Sequence, residues 1–384
     1  MRFFVINGDY TLFLSWFYAT YPELRERPYD EQLRVRHQSF CGMADFYPSH
    51  LRRLGHEAVN VWGNDEVLQR TWAKEHGVQV KPEGARDWRF RLRRGWVPWL
   101  DRVPSQEWLY KILEAQIRHY NPDVLLNFEV GMVSSEFLRT MRRELGKTLR
   151  LVIGWGSAVS ASYQEDWSVY DLMLVPQEGM ATYFQGKGVR TELIRHAFEP
   201  RVLSVIGAPE RTIPVSFAGI MHNRVSYKTR RELLERLCTE LGGDMSMWAP
   251  ALGDLPPASA IRQRHQGEAW AREFYRVLAR SNIVVNCHGD LEGRYAANIR
   301  LFEATGMGAL VVTDWKENLP RLFEPGKEVV AYRHAEECVD LVHYYLHHAA
   351  ERLAIAHAGH QRTLREHTYE QRAQEVVQLI GTYL

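Results

Sequence analysis

Cysteine is nearly missing from this chain. There are four in 384 residues, and Cys41, Cys238, Cys287 and Cys338 lie too far apart to give any C-x-x-C pair. This excludes a disulfide framework and a cysteine zinc site of ordinary spacing, and it predicts reduced, mostly buried thiols. Long apolar runs are also missing, since no stretch reaches the roughly 18 residues that a bilayer-spanning helix needs. Residues 1–8 read as a strand that meets Gly8 and Asp9 at once, not as the apolar core of a signal peptide, so a cytoplasmic location is expected. Charge of one sign is lacking too: a net charge of +1 gives no general pull toward nucleic acid. No D-x-D triplet occurs, and no metal-ligand spacing is visible among the Asp, His and Cys residues, so no metal is expected.

What is present suits a soluble α/β protein large enough for two domains, with 45% apolar and 25% charged residues. In the second half, apolar strands alternate with amphipathic helices: strands at 214–218, 282–287, 309–313 and 328–332, and helices at 269–279, 319–323 and 335–347. Another helix runs to Leu241, with Leu233, Leu234 and Leu237 on one face and Gly242 as its stop. This is the grammar of a doubly wound parallel sheet. The first half keeps the same grammar less regularly, with strands at 2–7, 57–61, 123–127, 149–154 and 171–175. Pro200, Gly207 and Pro209 break the periodicity and mark a linker at 196–213, which leaves domains at 1–195 and 214–366. Thr368 and Gln371 have capping-box spacing and open a final amphipathic helix over 367–384.

Residues 298–314 are the most informative stretch. Asn298, Arg300 and Glu303 interrupt core-like Ile299, Leu301, Phe302 and Ala304, and Gly306 and Gly308 close the helix before a strand. A helix start offers N–H groups and a positive dipole end to phosphate, Arg300 can fork onto the oxygens, and Glu303 can accept from sugar hydroxyls. A plain helix with a surface ion pair and a glycine cap would read the same. The N-x-R-x-F-E-A run, residues 318–332 and the closing 367–373 resemble the glycosyltransferases related to spore-maturation proteins. The likeness covers the chain from about Tyr170 onward and is looser before it. It implies two Rossmann-like domains facing a cleft, the glycosyltransferase B arrangement. It also implies a terminal helix crossing back to the first domain, and a sugar nucleotide held mainly by the second.

On that reading the co-substrate is a nucleoside diphosphate sugar, with UDP, GDP and dTDP all open, and no further cofactor is expected. The diphosphate candidates are Gly219, His222 and Arg224 in the loop after the first strand of the second domain, together with Asn298 and Arg300. His288, Asp290 and Glu303 are candidates for the nucleoside or the sugar. Related enzymes place a second glutamate eight positions before the one matched by Glu303, but Tyr295 stands there. In the first domain, Asp9 and Glu129 follow strands where a carboxylate could take a proton from an acceptor hydroxyl, a base needed only if transfer inverts configuration. Trp155 lies in another such loop. Residues 86–102 interleave Arg86, Arg89, Arg91, Arg93, Arg94 and Arg102 with Trp88, Phe90, Trp96 and Trp99. Three readings compete for that segment: an acceptor-binding element, a docking surface for a membrane or a protein, and a solvated insertion. Overall a sugar transferase competes with a non-catalytic scaffold of the same fold and with a sugar-nucleotide epimerase.

Overall fold

The computed structural model describes residues 1–93, 96–157, 165–221, 227–253 and 255–384, and for residues 91–93 and 97 the backbone alone. Its strands are β1 (Arg2–Asn7), β2 (Glu57–Trp62), β3 (Arg86–Arg93), β4 (Val97–Pro104), β5 (Val124–Asn127), β6 (Leu151–Trp155), β7 (Leu172–Val175), β8 (Thr191–Leu193), β9 (Ile213–Ala218), β10 (Met245–Trp248), β11 (Ser281–Asn286), β12 (Leu310–Asp314) and β13 (Val330–Tyr332). The chain forms two compact units that interleave in sequence. Over their described residues, the first holds Met1–Arg36, His56–Gly154 and Val169–Asp171, and the second holds His37–Gly55, Trp155–Ser168 and Leu172–Leu384.

In the first unit β1 lies between β2 and β5, β5 pairs with β6, and every pairing is parallel. Both faces of β1 and β5 are covered, which is why Phe3, Phe4, Val5, Ile6, Leu125 and Leu126 form unbroken apolar runs instead of alternating. The chain leaves β1 for β2 on one side and later takes up β5 on the other. The order therefore reverses between β1 and β5, the crevice where sheets of this kind bind ligands. β3 and β4 form a separate antiparallel hairpin, the extended arm that the alternation over residues 88–93 predicts.

The second unit carries a five-stranded parallel sheet in the order β10-β9-β11-β12-β13. Helix Lys228–Glu240 presents Leu233, Leu234 and Leu237 to Val215, Ile283, Val285 and Val312, as its leucine spacing requires. Strand order reverses here between β9 and β11. The helix of the 298–314 segment spans Arg300–Gly306. Gly306 is inside it, not beyond it, and is glycine for packing, since a Cβ there would sit 2.4 Å from the Phe198 ring, whereas Gly308 supplies the positive φ of +74° that ends the turn. The predicted capping box at Thr368 and Gln371 is present, and it starts helix Tyr369–Gly381. Tyr369 packs on Phe46 and Tyr47 of helix Phe46–Arg53, with ring centroids 4.9 and 5.5 Å away. That partner helix comes from the first half of the sequence, yet it belongs to the second compact unit.

Candidate functional site

The reversal point of the second sheet gathers polar groups from the loops after β9, β11 and β12. Arg230, in the first turn of its helix, bridges the loops after β9 and β11: its Nη1 donates to the Ile220 carbonyl at 3.0 Å and its Nε to the Cys287 carbonyl at 3.0 Å. Its guanidinium stacks 4.3 Å from the Tyr227 ring centroid. Gly219 continues β9 and donates its N–H to the Trp248 carbonyl. His222 and Arg224 lie outside the described residues. One step along, the Asn286 and Asn298 amides pair reciprocally, at 2.8 and 3.3 Å. Asn298 also accepts from the Leu301 N–H at 3.4 Å, so it caps helix Arg300–Gly306 and pins that helix to the end of β11.

His288 follows β11 and is buried. Its Nδ1 lies 2.6 Å from Asp314 Oδ1, and its backbone N–H donates to the same oxygen at 3.0 Å. Burial alone would raise the Asp314 carboxyl, but His288 and then Lys316, 3.2 Å away, hold it far below the carboxylate range. An ionised Asp314 takes up the Nδ1–H of the imidazole and leaves Nε2 as the working atom, a donor when the ring carries both protons and an acceptor when it carries one. That atom is buried without a hydrogen-bond partner among the described residues, 4.0 Å from the Glu292 carboxylate, whose pKa burial raises. A buried polar atom left unmatched costs stability, and such atoms collect where a ligand completes them. Asp290 is already engaged, since its Oδ2 accepts from the Lys228 N–H at 2.8 Å and so caps helix Lys228–Glu240.

Arg300 and Glu303 are placed differently from the sequence expectation. They pair with each other and lie against helix Ala271–Arg280. Arg300 lies 3.8 Å from the Phe274 ring centroid and 3.3 Å from Glu303, whose other oxygen accepts from the Tyr275 hydroxyl at 3.2 Å. Glu303 is buried, and burial raises its pKa against the pull of Arg300 and Tyr275. The N–H of Ala296, just before Asn298, is taken by the Asn318 side chain at 2.7 Å.

In the first unit the reversal point between β1 and β5 brings Asp9 and Glu129 together with very different environments. Asp9 is held by Arg36 through bonds of 2.6 and 2.9 Å, and that guanidinium stacks over the rings of Trp62 and Phe13, at 4.5 and 4.8 Å. A carboxylate so engaged is a structural anchor, which corrects its reading as a base. Glu129 has no such cation among the described residues. Burial, and secondarily the Asp9 charge, pushes its carboxyl up to about 7. Gly8 makes room for it, since a Cβ there would come within 2.8 Å of the Glu129 Cγ. Trp155 ends β6 instead of lying in the loop after it, and it is only 4% exposed, packed against Tyr47 and His196. The strand β3 includes Arg91 and Arg93, whose side chains are outside the described residues.

Sequence reasoning missed Arg230, Lys316, Asp314 and Asn286. Each lies at a strand end, within two residues past one, or in the first turn of the following helix, the positions from which parallel sheets build sites, and that placement was the available signal.

Comparison with known proteins places this geometry. Residues 228–378 match the family model described as "Glycosyl transferase-like". No curated protein matches the chain. Among solved structures, HepE of Anabaena in complex with UDP-glucose is 10% identical and is covered over 100% of both chains at a TM-score of 0.60. Sucrose-phosphate synthase from Thermosynechococcus elongatus is 10% identical, with 100% of this chain and 99% of that one covered at 0.57. The pneumococcal O-GlcNAc transferase GtfA in complex with UDP and GlcNAc is 8% identical, with 100% and 99% covered at 0.54. Identities this low speak for the fold, and the two parallel sheets agree with it. The chain has the two-part glycosyltransferase B fold, and its residues 228–378 match the glycosyl transferase-like family model.

Proposed function

We propose that the protein transfers a sugar from a nucleoside diphosphate sugar to a hydroxyl acceptor, as do the glycosyltransferases related to spore-maturation proteins that residues 298–314 resemble. The observation that carries this reading is the unmatched Nε2 of His288, held by ionised Asp314 at the reversal point of the glycosyl transferase-like domain. In this scheme His288 bonds the donor at its sugar or its diphosphate. The Gly219 backbone approaches the phosphates, and His222 and Arg224 remain candidates beside it. Asn298, Arg230 and Asp290 act as positioning residues, because each fixes a loop or helix start around His288. Lys316 and Arg230 supply positive charge near the leaving diphosphate, where it is worth most as negative charge develops. Glu129 takes the proton of the acceptor hydroxyl. UDP is the first carrier to test, since HepE and GtfA were both solved with it.

The test is thermal unfolding with UDP, GDP and dTDP. One of them is expected to raise stability by about 2.7 kcal/mol at a hundred times its dissociation constant, and His288→Asn is expected to shrink that shift. No shift with any of the three would remove the reading. Charge compensation by side chains also leaves no need for a metal, so activity is expected to persist in chelator. Loss in chelator with recovery on adding manganese or magnesium would contradict that part alone.

A further inference from the structure

The β3–β4 hairpin carries the most concentrated apolar exposure among the described residues, in a place that sugar transfer does not explain. Trp88, Phe90, Trp96 and Leu100 are 68%, 63%, 76% and 61% exposed. The register sets Trp88 opposite Arg102 and Phe90 opposite Leu100, so these residues share one face, while Asp87, Arg89, Asp101 and Val103 belong to the other. Arg102 stacks 5.5 Å from the Trp88 ring centroid and accepts at its carbonyl from Arg86 at 2.8 Å, which gathers cations around the aromatic face. Over residues 86–104 six arginines face two aspartates, a local excess of +4 in a chain whose total is +1. The two strands pair with each other and, among the described residues, with no third strand. A lone two-stranded hairpin with its apolar side in water is marginal, and it gains stability when that side is covered.

We propose that this hairpin docks peripherally on an anionic lipid bilayer, with its aromatic face at the headgroup boundary and Arg86 and Arg102 beside that face on the lipid phosphates and carboxylates. Trp and Phe with an apolar body suit that boundary, and arginine beside them suits the negative surface potential. A sugar would require rings set beside convergent polar donors, whereas here the rings stand out along an arm. No helix among the described residues is long and apolar enough to cross a membrane, so the contact is a surface one. It is independent of the donor site.

Co-sedimentation with vesicles tests this, comparing phosphatidylcholine alone with phosphatidylcholine containing about one-third phosphatidylserine. The protein is expected to bind the anionic vesicles roughly tenfold better, and to lose most of that binding as salt rises. Trp88→Ser/Phe90→Ser/Leu100→Ser should lose binding to both vesicles. Arg86→Ser/Arg89→Ser/Arg102→Ser should lose the preference for the anionic ones. These exposed sites should leave the melting temperature and the nucleotide shift as in wild type, which separates this test from that of the donor site. The proposal is overturned if wild type does not sediment, or if both variants sediment like wild type. It is equally overturned if the apolar variant only abolishes self-association, which would make a second copy of the chain the occupant.

Discussion

Glu129→Gln is expected to have two opposite effects, a loss of turnover of about a hundredfold or more and a gain of stability above neutral pH. The carboxyl titrates near 7 in the folded chain against an ordinary 4.5, because burial and then the Asp9 charge disfavour its ionised form. Between those two values the folded state keeps a proton that the unfolded state has released. Stability therefore falls as pH rises from about 4.5 to about 7 and is flat above. Glutamine carries no charge to bury, so at pH 8 the variant should be more stable by on the order of 1–3 kcal/mol, while at pH 4 the two proteins should unfold alike. Activity should follow the opposite course in wild type, rising through pH 7 as Glu129 becomes able to accept a proton. Chemical denaturation at both pH values and a pH–rate profile check the two halves separately. A variant with wild-type turnover would make Glu129 a structural carboxyl. Gly8→Ala offers an independent approach, since the added methyl would displace Glu129 without altering its chemistry.

The second large effect concerns Arg300. Were it poised only for phosphate, Arg300→Ala would fold normally and lose turnover. The structure gives it a buried acid instead, so the truncation strands the Glu303 carboxylate and should cost about 3–5 kcal/mol. The loss should be smaller at low pH, where Glu303, whose pKa burial already raises, takes up a proton more readily. Arg300→Met/Glu303→Gln removes both charges, keeps a chain for Phe274 to pack on, and should recover most of the stability. Denaturant midpoints of the two variants decide the matter. Equal midpoints for Arg300→Ala and wild type would mean that the pair contributes nothing and would return Arg300 to the list of candidate phosphate ligands.

These two predictions also mark how far the sequence could be read. Strands such as β1, β5 and β11 were legible because burial on both faces writes them as unbroken apolar runs, and helix Ala335–His347 was legible from its period. β10 was not, because Met245-Ser-Met-Trp is short and carries none of the β-branched residues that signal a strand. Helix Ala349–Glu366 was missed as well: its buried stripe is Ile355, Ala356, Gly359 and Thr363, which is too small and polar to show a face. The site divides in the same way. Glu129 and His288 could be found because they follow strands, a local property. Whether a carboxylate is open or engaged depends on partners far along the chain. Arg36 reaches Asp9 across 27 positions and Tyr275 reaches Glu303 across 28, and no spacing rule relates them. The same holds for His288, whose state is set by Asp314, 26 residues away.

The most direct measurement of the central claim is the rate at which the purified chain releases nucleoside diphosphate from UDP-, GDP- and dTDP-sugars, compared between wild type and His288→Asn. The expected result is release from sugars of one carrier and a fall of about a hundredfold in the variant, the usual cost of losing one donor to developing charge. Release at equal rates by both proteins, or from none of the sugars, would contradict a donor site at the reversal point of the second sheet.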